Sequence, residues 1–172
     1  MNVVLIGAGR GSRLMPLTPS QPKSFTTVAD RRILDWTLDA FRENGLDRFV
    51  FIGGYLKDVV RSAYPAFTMV ENPDWADSNI LHSLVCARDY LNQGFYATYT
   101  DTLFRGNAVR MLQEASHDIV LVMDTRWRER YKHRSQHPEQ DGEKIIASGD
   151  LVNPLTVKIE AQGDLCLAGM SL

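Results

Sequence analysis

The sequence predicts an α/β protein with a mostly parallel sheet and a small antiparallel extension, and two patterns carry this prediction. Continuous apolar segments, the pattern of strands buried on both faces of a sheet, occur at residues 3–6, 49–52, 67–70, 95–100 and 119–123. Segments with helical periodicity lie between them, at residues 33–44, 55–64, 78–92 and 107–116. Strands that alternate with helices of this length favour a parallel sheet.

Individual residues mark where these helices begin and end. Leu34 and Leu38 share one face of the first helix, and Gly45 stands where its C-terminal cap belongs. Pro65 ends the second helix because proline cannot continue one. Ser78 is the predicted N-cap of the third helix.

The pattern changes after the fifth strand. Residues 126–134 are dense in charge, and residues 136–142 form a polar loop. Three short strands separated by Gly or Pro turns follow, at residues 143–147, 155–159 and 165–167. These three strands form the predicted antiparallel extension.

Length and composition exclude several classes of protein. The 172 residues suffice for one domain with a sizeable core, and the formal net charge of −2 gives no basic field for nucleic acid. Cys86 and Cys166 lie far apart and lack metal-site spacing. No apolar run approaches the roughly 20 residues of a membrane span, and no signal peptide is visible. We therefore expect a cytoplasmic protein.

A glycine-rich loop follows the first strand. Gly7, Gly9 and Gly11 occupy every second position, which lets backbone N–H groups approach a ligand without an intervening Cβ. Successive N–H groups in such a loop bind anions. Positive side chains surround it at Arg10, Arg13 and Lys23. A nucleoside triphosphate is the ligand that this arrangement suits best.

Other glycine loops fit less well. A Walker loop requires Gly-Lys-Ser/Thr at its end, which Gly11-Ser12-Arg13 does not supply. The dinucleotide fingerprint requires a third glycine where Ser12 stands, and a downstream ribose-binding acid is not evident. A plain turn from strand to helix is the remaining structural alternative.

Residues 7–18, with Pro22 and Lys23, closely resemble the signature of nucleotidyltransferases that activate sugar phosphates and phosphocholine. The resemblance covers about residues 2–146 and implies a Rossmann-like fold of the glycosyltransferase-A type. It implies catalytic roles for Arg13 and Lys23, which would steady the phosphates. It also implies a triphosphate-binding loop composed of Gly7, Ala8, Gly9, Arg10, Gly11 and Ser12.

Asp101 follows the fourth strand, at the edge where open α/β sheets bind ligands. A carboxylate there can hold Mg²⁺, although an aspartate that caps a turn or helix is the alternative. The segment 100–104 resembles the metal-binding Gly-Asp segment of the family, with Thr100 in place of glycine. The resemblance therefore implies Mg²⁺ as cofactor and Asp101 as its ligand, with a backbone that Thr100 crowds.

Residues 71–75 and 78–84 resemble a further signature, typical of the phosphocholine cytidylyltransferase-like branch. It implies that Asn72, Asn79 and Ser83 direct polar groups at the base or the ribose. Ordinary hydrogen bonding at a helix start is an equal alternative for Asn79 and Ser83.

Residues 124–134 match the same branch. Trp127 and Tyr131 fall on one helical face, and aromatic faces attract quaternary ammonium groups such as choline. Packing of both rings beneath the loop is the alternative. Asp124 is a candidate contact for the second substrate. His133 and His137 lack a third convergent ligand and are interpreted as surface residues.

The implied reaction is the transfer of a nucleoside monophosphate from a nucleoside triphosphate, CTP favoured, to phosphocholine or a sugar 1-phosphate, with release of pyrophosphate. As partners we expect the triphosphate and a small phosphorylated acceptor, with no nucleic acid, no membrane and a homodimer as one candidate assembly. A nicotinamide-dependent oxidoreductase is a much weaker hypothesis.

Family members usually extend further and carry a second metal-binding carboxylate, for which the sequence shows no convincing counterpart; Asp150 and Asp164 lie in predicted turns of the extension. We therefore expect residues 1–172 to form a single nucleotidyltransferase-like domain that lacks the C-terminal part of the family fold. A truncated or inactive nucleotide-binding module is the alternative to an active enzyme.

Overall fold

The computed structural model describes residues 1–11 and 20–132, together with the backbone of four strands at residues 144–145, 147–148, 151–152 and 165–171. The strands are β1 Asn2–Gly7, β2 Thr27–Val28, β3 Arg31–Arg32, β4 Phe49–Gly53, β5 Thr68–Glu71, β6 Phe95–Tyr99, β7 Val120–Asp124, β8 Lys144–Ile145, β9 Ala147–Ser148, β10 Leu151–Val152 and β11 Leu165–Ser171. The helices are α1 Ile33–Arg42, α2 Lys57–Ala63, α3 Ile80–Cys86, α4 Gly106–Glu114 and α5 Trp127–Tyr131. Short 3-10 turns lie at Lys23–Phe25 and Arg88–Tyr90.

The main sheet has the strand order β5-β4-β1-β6-β11-β7. Its first four strands are parallel, whereas β11 runs antiparallel to both β6 and β7 and also pairs with β8. Two hairpins, β2 with β3 and β9 with β10, lie outside this sheet. The prediction of a mostly parallel α/β sheet with antiparallel additions is confirmed.

The last strand differs from the prediction in length and place. The sequence predicted residues 165–167 as part of a separate extension, but β11 spans Leu165–Ser171 and lies inside the main sheet between β6 and β7. An inserted strand satisfies backbone groups on the facing edges of β6 and β7, which are not paired with each other. The predicted strand at 155–159 lies outside the described residues.

Helix α3 begins one residue later than predicted. Asn79, not Ser78, is the N-cap, because its side-chain oxygen accepts a hydrogen bond from the backbone N–H of His82 at 2.9 Å. The helix ends at Cys86, and the separate 3-10 turn Arg88–Tyr90 follows where the sequence predicted continuous helix.

The core places β1 at the centre of the molecule. Alternate residues of β1 face opposite sides of the sheet, as strand geometry requires, and four of them are buried. One side packs against Leu34, Leu38 and Phe41 of α1, whereas the other side packs against Leu84 of α3. Burial on both faces fixes where β1 ends, and therefore where the glycine loop begins.

Among the described residues, no helix is both long enough and apolar enough to cross a membrane.

Candidate active site

The glycine loop leaves the sheet between the carboxyl ends of β4 and β6. Gly7 is paired with Gly53 of β4, and Ile6 is paired with Tyr99 of β6. Ligands of open parallel sheets bind at this edge. The arrangement places residues 8–11 beside the segment that carries Asp101.

Close packing explains two of the three loop glycines. A Cβ at Gly7 would collide with the ring of Phe51 and would lie 3.1 Å from Cγ2 of Thr100. Gly11 has φ +68°, and a Cβ there would lie 3.0 Å from Cβ and Cδ of Lys23. Such positive φ values favour glycine. Lys23 therefore packs directly against the loop.

Gly9 differs from these two glycines. A Cβ at Gly9 would meet no described atom within 4 Å, and the residue is exposed. The described residues therefore give no steric reason for glycine at this position. Ser12 and Arg13, the other predicted phosphate contacts, lie outside the described residues.

An aromatic pair supports the loop from the β4 side. Ala8 is buried, and its carbonyl accepts a hydrogen bond from the backbone N–H of Tyr55 at 2.9 Å. The Tyr55 ring packs against Trp75 with centroids 5.5 Å apart, and the exposed Arg10 guanidinium lies 5.6 Å from the Tyr55 ring centroid. Gly54 lies where these groups meet.

Gly54→Ala is expected to destabilise the protein by about 1–3 kcal/mol, because an added methyl group overpacks this junction. Its Cβ would collide with Trp75 and would lie 2.7 Å from the Ala8 carbonyl oxygen. Chemical denaturation measures the effect. Wild-type stability in this variant would show that Trp75 moves aside freely.

Lys23 and Asp101, the predicted phosphate contact and the predicted metal ligand, form an ion pair between Nζ and Oδ2. Their side chains are 34% and 27% exposed, so solvent reaches both charges. The structure thus brings together two residues 78 positions apart in the chain, at the edge where the glycine loop begins.

The turn that carries Lys23 is anchored by aromatic packing. Phe25 is buried, the Arg32 guanidinium lies 3.8 Å from its ring centroid, and Tyr64 meets it edge-on at 6.0 Å. The Tyr64 hydroxyl donates to Asp35 Oδ1 at 2.6 Å. Burial, followed by this hydrogen bond, raises the pKa of Tyr64 to about 12, so the phenol stays neutral at physiological pH.

The surroundings of Asp101 fit a site that would hold Mg²⁺. Mg²⁺ is commonly held by one or two carboxylates, with phosphates and water completing its octahedron. Asp101 offers carboxylate oxygens that are partly exposed. The methyl group of the neighbouring Thr100 packs against Gly7, so the glycine provides space for the threonine. Asp150 and Asp164 lie outside the described residues.

The predicted base or ribose contacts form one hydrogen-bonded turn after β5. Asn72 is fully buried, and its Nδ2 donates to the hydroxyls of Ser78 and Ser83, both at 2.9 Å. Its Oδ1 accepts from the backbone N–H of Asp74 at 3.0 Å. Ser83 is also buried, whereas Asn79 is exposed and caps α3. These bonds favour a structural role, and the ligand contacts stay predictions.

The predicted acceptor contacts lie at the end of β7 and on α5. Asp124 accepts from the Arg126 backbone N–H at 3.0 Å and from Arg130 Nη1, 2.7 Å from each of its oxygens. Trp127 is 2% exposed, and its ring meets Tyr131 edge-on at 5.2 Å. The Arg128 guanidinium already lies 5.0 Å from the Trp127 centroid. This burial favours packing for Trp127, and choline recognition stays a prediction.

Sequence reasoning missed the residues that support this site from behind. Gly54, Tyr55 and Trp75 brace the glycine loop, and none of them was among the predicted site residues. A glycine doublet such as Gly53-Gly54, at the carboxyl end of a parallel strand, is a signal of close backbone approach. The partner at Trp75 has no comparable local signal.

A glycine loop at the end of the central parallel strand, facing a lysine and an aspartate, defines a nucleotide-binding α/β domain. The chain belongs to the family of MobA-like NTP transferase domains, whose family pattern matches residues 3–161. The family assignment therefore agrees with the α/β fold and its glycine loop.

Curated relatives are nucleotidyltransferases. The chain is 27% identical to the CTP:phosphoglutamine cytidylyltransferase of Campylobacter jejuni, over 96% of this chain and 69% of that protein. It is 32% identical to the 2-aminoethylphosphonate cytidylyltransferase of Lancefieldella rimae, over 54% of this chain and 39% of that protein. With the choline-phosphate cytidylyltransferase of Streptococcus pneumoniae, identity is 28% over 61% of this chain and 47% of that protein. The chain thus spans less than half the length of the last two.

Solved structures share the fold. The inositol-1-phosphate CTP transferase of T. maritima superposes with a TM-score of 0.76 at 20% identity, covering 98% of this chain and 68% of that chain. The CTP:phosphocholine cytidylyltransferase of Streptococcus pneumoniae gives a TM-score of 0.62 at 20% identity, covering 99% of this chain and 67% of that chain. These similarities confirm the predicted nucleotidyltransferase fold.

Proposed function

We propose that this protein transfers a nucleoside monophosphate from a nucleoside triphosphate to a small phosphorylated acceptor and releases pyrophosphate. The observation that carries the proposal is the meeting of Lys23 and Asp101 beside the glycine loop. Lys23 offers a cation to phosphate oxygens, and the adjacent Asp101 offers a carboxylate to a phosphate-bound metal. CTP is the favoured nucleotide, supported by the cytidylyltransferases among the relatives.

The reaction requires positioning and charge stabilisation rather than a catalytic base. An anionic oxygen of the acceptor phosphate forms a bond to the α-phosphorus. The bond from the α-phosphorus to the oxygen bridging to the β-phosphate breaks, and pyrophosphate leaves with the electron pair. The backbone N–H groups of the glycine loop bind triphosphate oxygens, and the Lys23 ammonium offsets their negative charge. Asp101 would hold Mg²⁺, which would supply further neutralisation of phosphate charge when bound.

The acceptor belongs to the class of small phosphorylated molecules. Relatives named for phosphoglutamine and choline phosphate support an acceptor that carries a nitrogenous group, and a UTP–glucose-1-phosphate uridylyltransferase among the curated relatives supports a sugar 1-phosphate. Within this class, phosphocholine and a sugar 1-phosphate are the predicted acceptors, with Asp124, Trp127 and Tyr131 as the predicted contacts.

A pyrophosphate-release assay tests the proposal. Each of the four nucleoside triphosphates is combined with phosphocholine, phosphoglutamine and sugar 1-phosphates in the presence of Mg²⁺. We expect release with CTP and one acceptor class, and none without an acceptor. Nucleotide binding without release under any combination would instead support the alternative of a nucleotide-binding module.

Gly9→Ala tests whether the loop holds phosphate. The added methyl group meets no described atom within 4 Å, so the melting temperature is expected to change little. A triphosphate bound on the loop would occupy that open space, and its affinity is expected to fall about tenfold or more, equivalent to about 1.4 kcal/mol or more. Calorimetric titration with CTP measures the loss, and unchanged affinity would contradict the phosphate-cradle interpretation.

A further inference from the structure

Helix α1 and the turn that follows it hold the loop that connects Asp101 to α4. Thr37 and Phe41 lie on one face of α1, and Asn44 follows in the turn two residues beyond the end of the helix. Each contacts a different point between Thr102 and Gly106. We call these three residues the α1 clamp.

The clamp makes three contacts of different chemistry. The Thr37 hydroxyl faces the Thr102 carbonyl oxygen at 3.1 Å, directly after Asp101. Phe41 meets Phe104 edge-on, with ring centroids 5.6 Å apart. Asn44 Nδ2 donates to the Gly106 carbonyl at 2.9 Å, at the start of α4.

Burial makes the Thr37 contact a rigid one. Thr37 is 0% exposed, so water does not compete for its hydroxyl. That hydroxyl also lies 3.2 Å from the Ile33 carbonyl oxygen of its own helix, and its single proton serves both acceptors. The Thr102 backbone is therefore tied to a helix that packs across the core.

The far end of the loop also lies close to the C-terminal end of α1. A Cβ at Gly106 would lie 3.1 Å from Asn44 Nδ2 and 3.5 Å from the Ala40 carbonyl oxygen. The loop is thus held at both ends and packed in its middle. Thr102, which Thr37 contacts, directly follows Asp101. Gly106, which Asn44 contacts, lies five residues after Asp101.

We infer that Thr37 is a positioning residue for Asp101, and that its hydroxyl sets the affinity of the site for nucleotide-bound Mg²⁺. This inference rests on the proposed function. Groups that orient a metal ligand from behind commonly influence metal affinity by 10- to 100-fold. Thr37 is fully buried, and it acts through the backbone at Thr102.

Thr37→Val removes the hydroxyl while keeping the shape of the side chain. In the presence of CTP, we expect the Mg²⁺ concentration for half-maximal turnover to rise about tenfold or more. Thr37→Ser retains the hydroxyl and is expected to restore the wild-type requirement. Thr37→Ala is a second hydroxyl-free variant, for use if Thr37→Val fails to fold.

Asn44→Ala provides the matched control. It also removes a side-chain bond to this loop, from the turn that follows α1, but at the end distant from Asp101. We expect a lower melting temperature with an unchanged Mg²⁺ requirement. Equal Mg²⁺ requirements in wild type, Thr37→Val and Asn44→Ala would show that Thr37 only stabilises the fold.

A binding measurement separates this inference from the proposed function. Calorimetric titration of a non-hydrolysable CTP analogue, with and without Mg²⁺, gives the metal-dependent gain in affinity without turnover. A gain in wild type that shrinks in Thr37→Val supports the inference, and an equal gain in both proteins overturns it alone. No binding to wild type in either condition overturns the proposed function and the inference with it.

Discussion

Asp101→Asn is expected to reduce pyrophosphate release by about 100- to 1,000-fold, equivalent to roughly 3–4 kcal/mol of lost charge stabilisation. The amide keeps the size of the side chain but loses the negative charge that attracts Mg²⁺. It also leaves Lys23 without its carboxylate partner. The concentration of Mg²⁺ needed for half-maximal turnover is expected to rise together with the loss of rate.

Glu71→Gln is the matched control for this prediction. Glu71 is the last residue of β5 and forms an ion pair with Lys57, so the substitution also neutralises a carboxylate paired with a lysine near the same sheet edge. Because Glu71 lies outside the proposed site, turnover by the Glu71→Gln variant is expected to stay close to that of the wild type. Full activity in Asp101→Asn at every Mg²⁺ concentration would assign metal binding to other residues.

Lys23→Ala is expected to lower turnover about 10- to 150-fold, as a charge-assisted hydrogen bond worth about 1.5–3 kcal/mol is lost. The ion pair with Asp101 is partly exposed and adds little to stability, so the variant is expected to stay folded. Binding of CTP is expected to weaken because the triphosphate loses a cation beside the glycine loop.

The metal dependence distinguishes the roles of the two residues. The Lys23 ammonium competes with a cation for Asp101, so Lys23→Ala is expected to lower the Mg²⁺ requirement while Asp101→Asn raises it. Lys57→Ala, which removes the lysine paired with Glu71, serves as the control. A raised Mg²⁺ requirement in Lys23→Ala would show instead that Lys23 supports metal binding indirectly.

Local sequence patterns were sufficient for the parallel strands and for the helices between them. Alternation of apolar strands with amphipathic helices predicted the parallel sheet, because strands covered on both faces must be apolar throughout. The glycine loop after β1 and the aspartate after β6 were identifiable for a related reason. Parallel strands end at one edge, so residues that follow different strands converge there.

The sequence by itself therefore determined a parallel α/β domain with a glycine loop and with Asp101 at its ligand-binding edge. Tertiary structure decided which groups meet. It paired Lys23 with Asp101, placed β11 between β6 and β7, and set the α1 clamp behind the Asp101 loop. It also engaged Asn72 and Ser83 in hydrogen bonds with their own turn. Such contacts join residues distant in the chain, and local periodicity carries no information about which side chains long-range packing brings within reach.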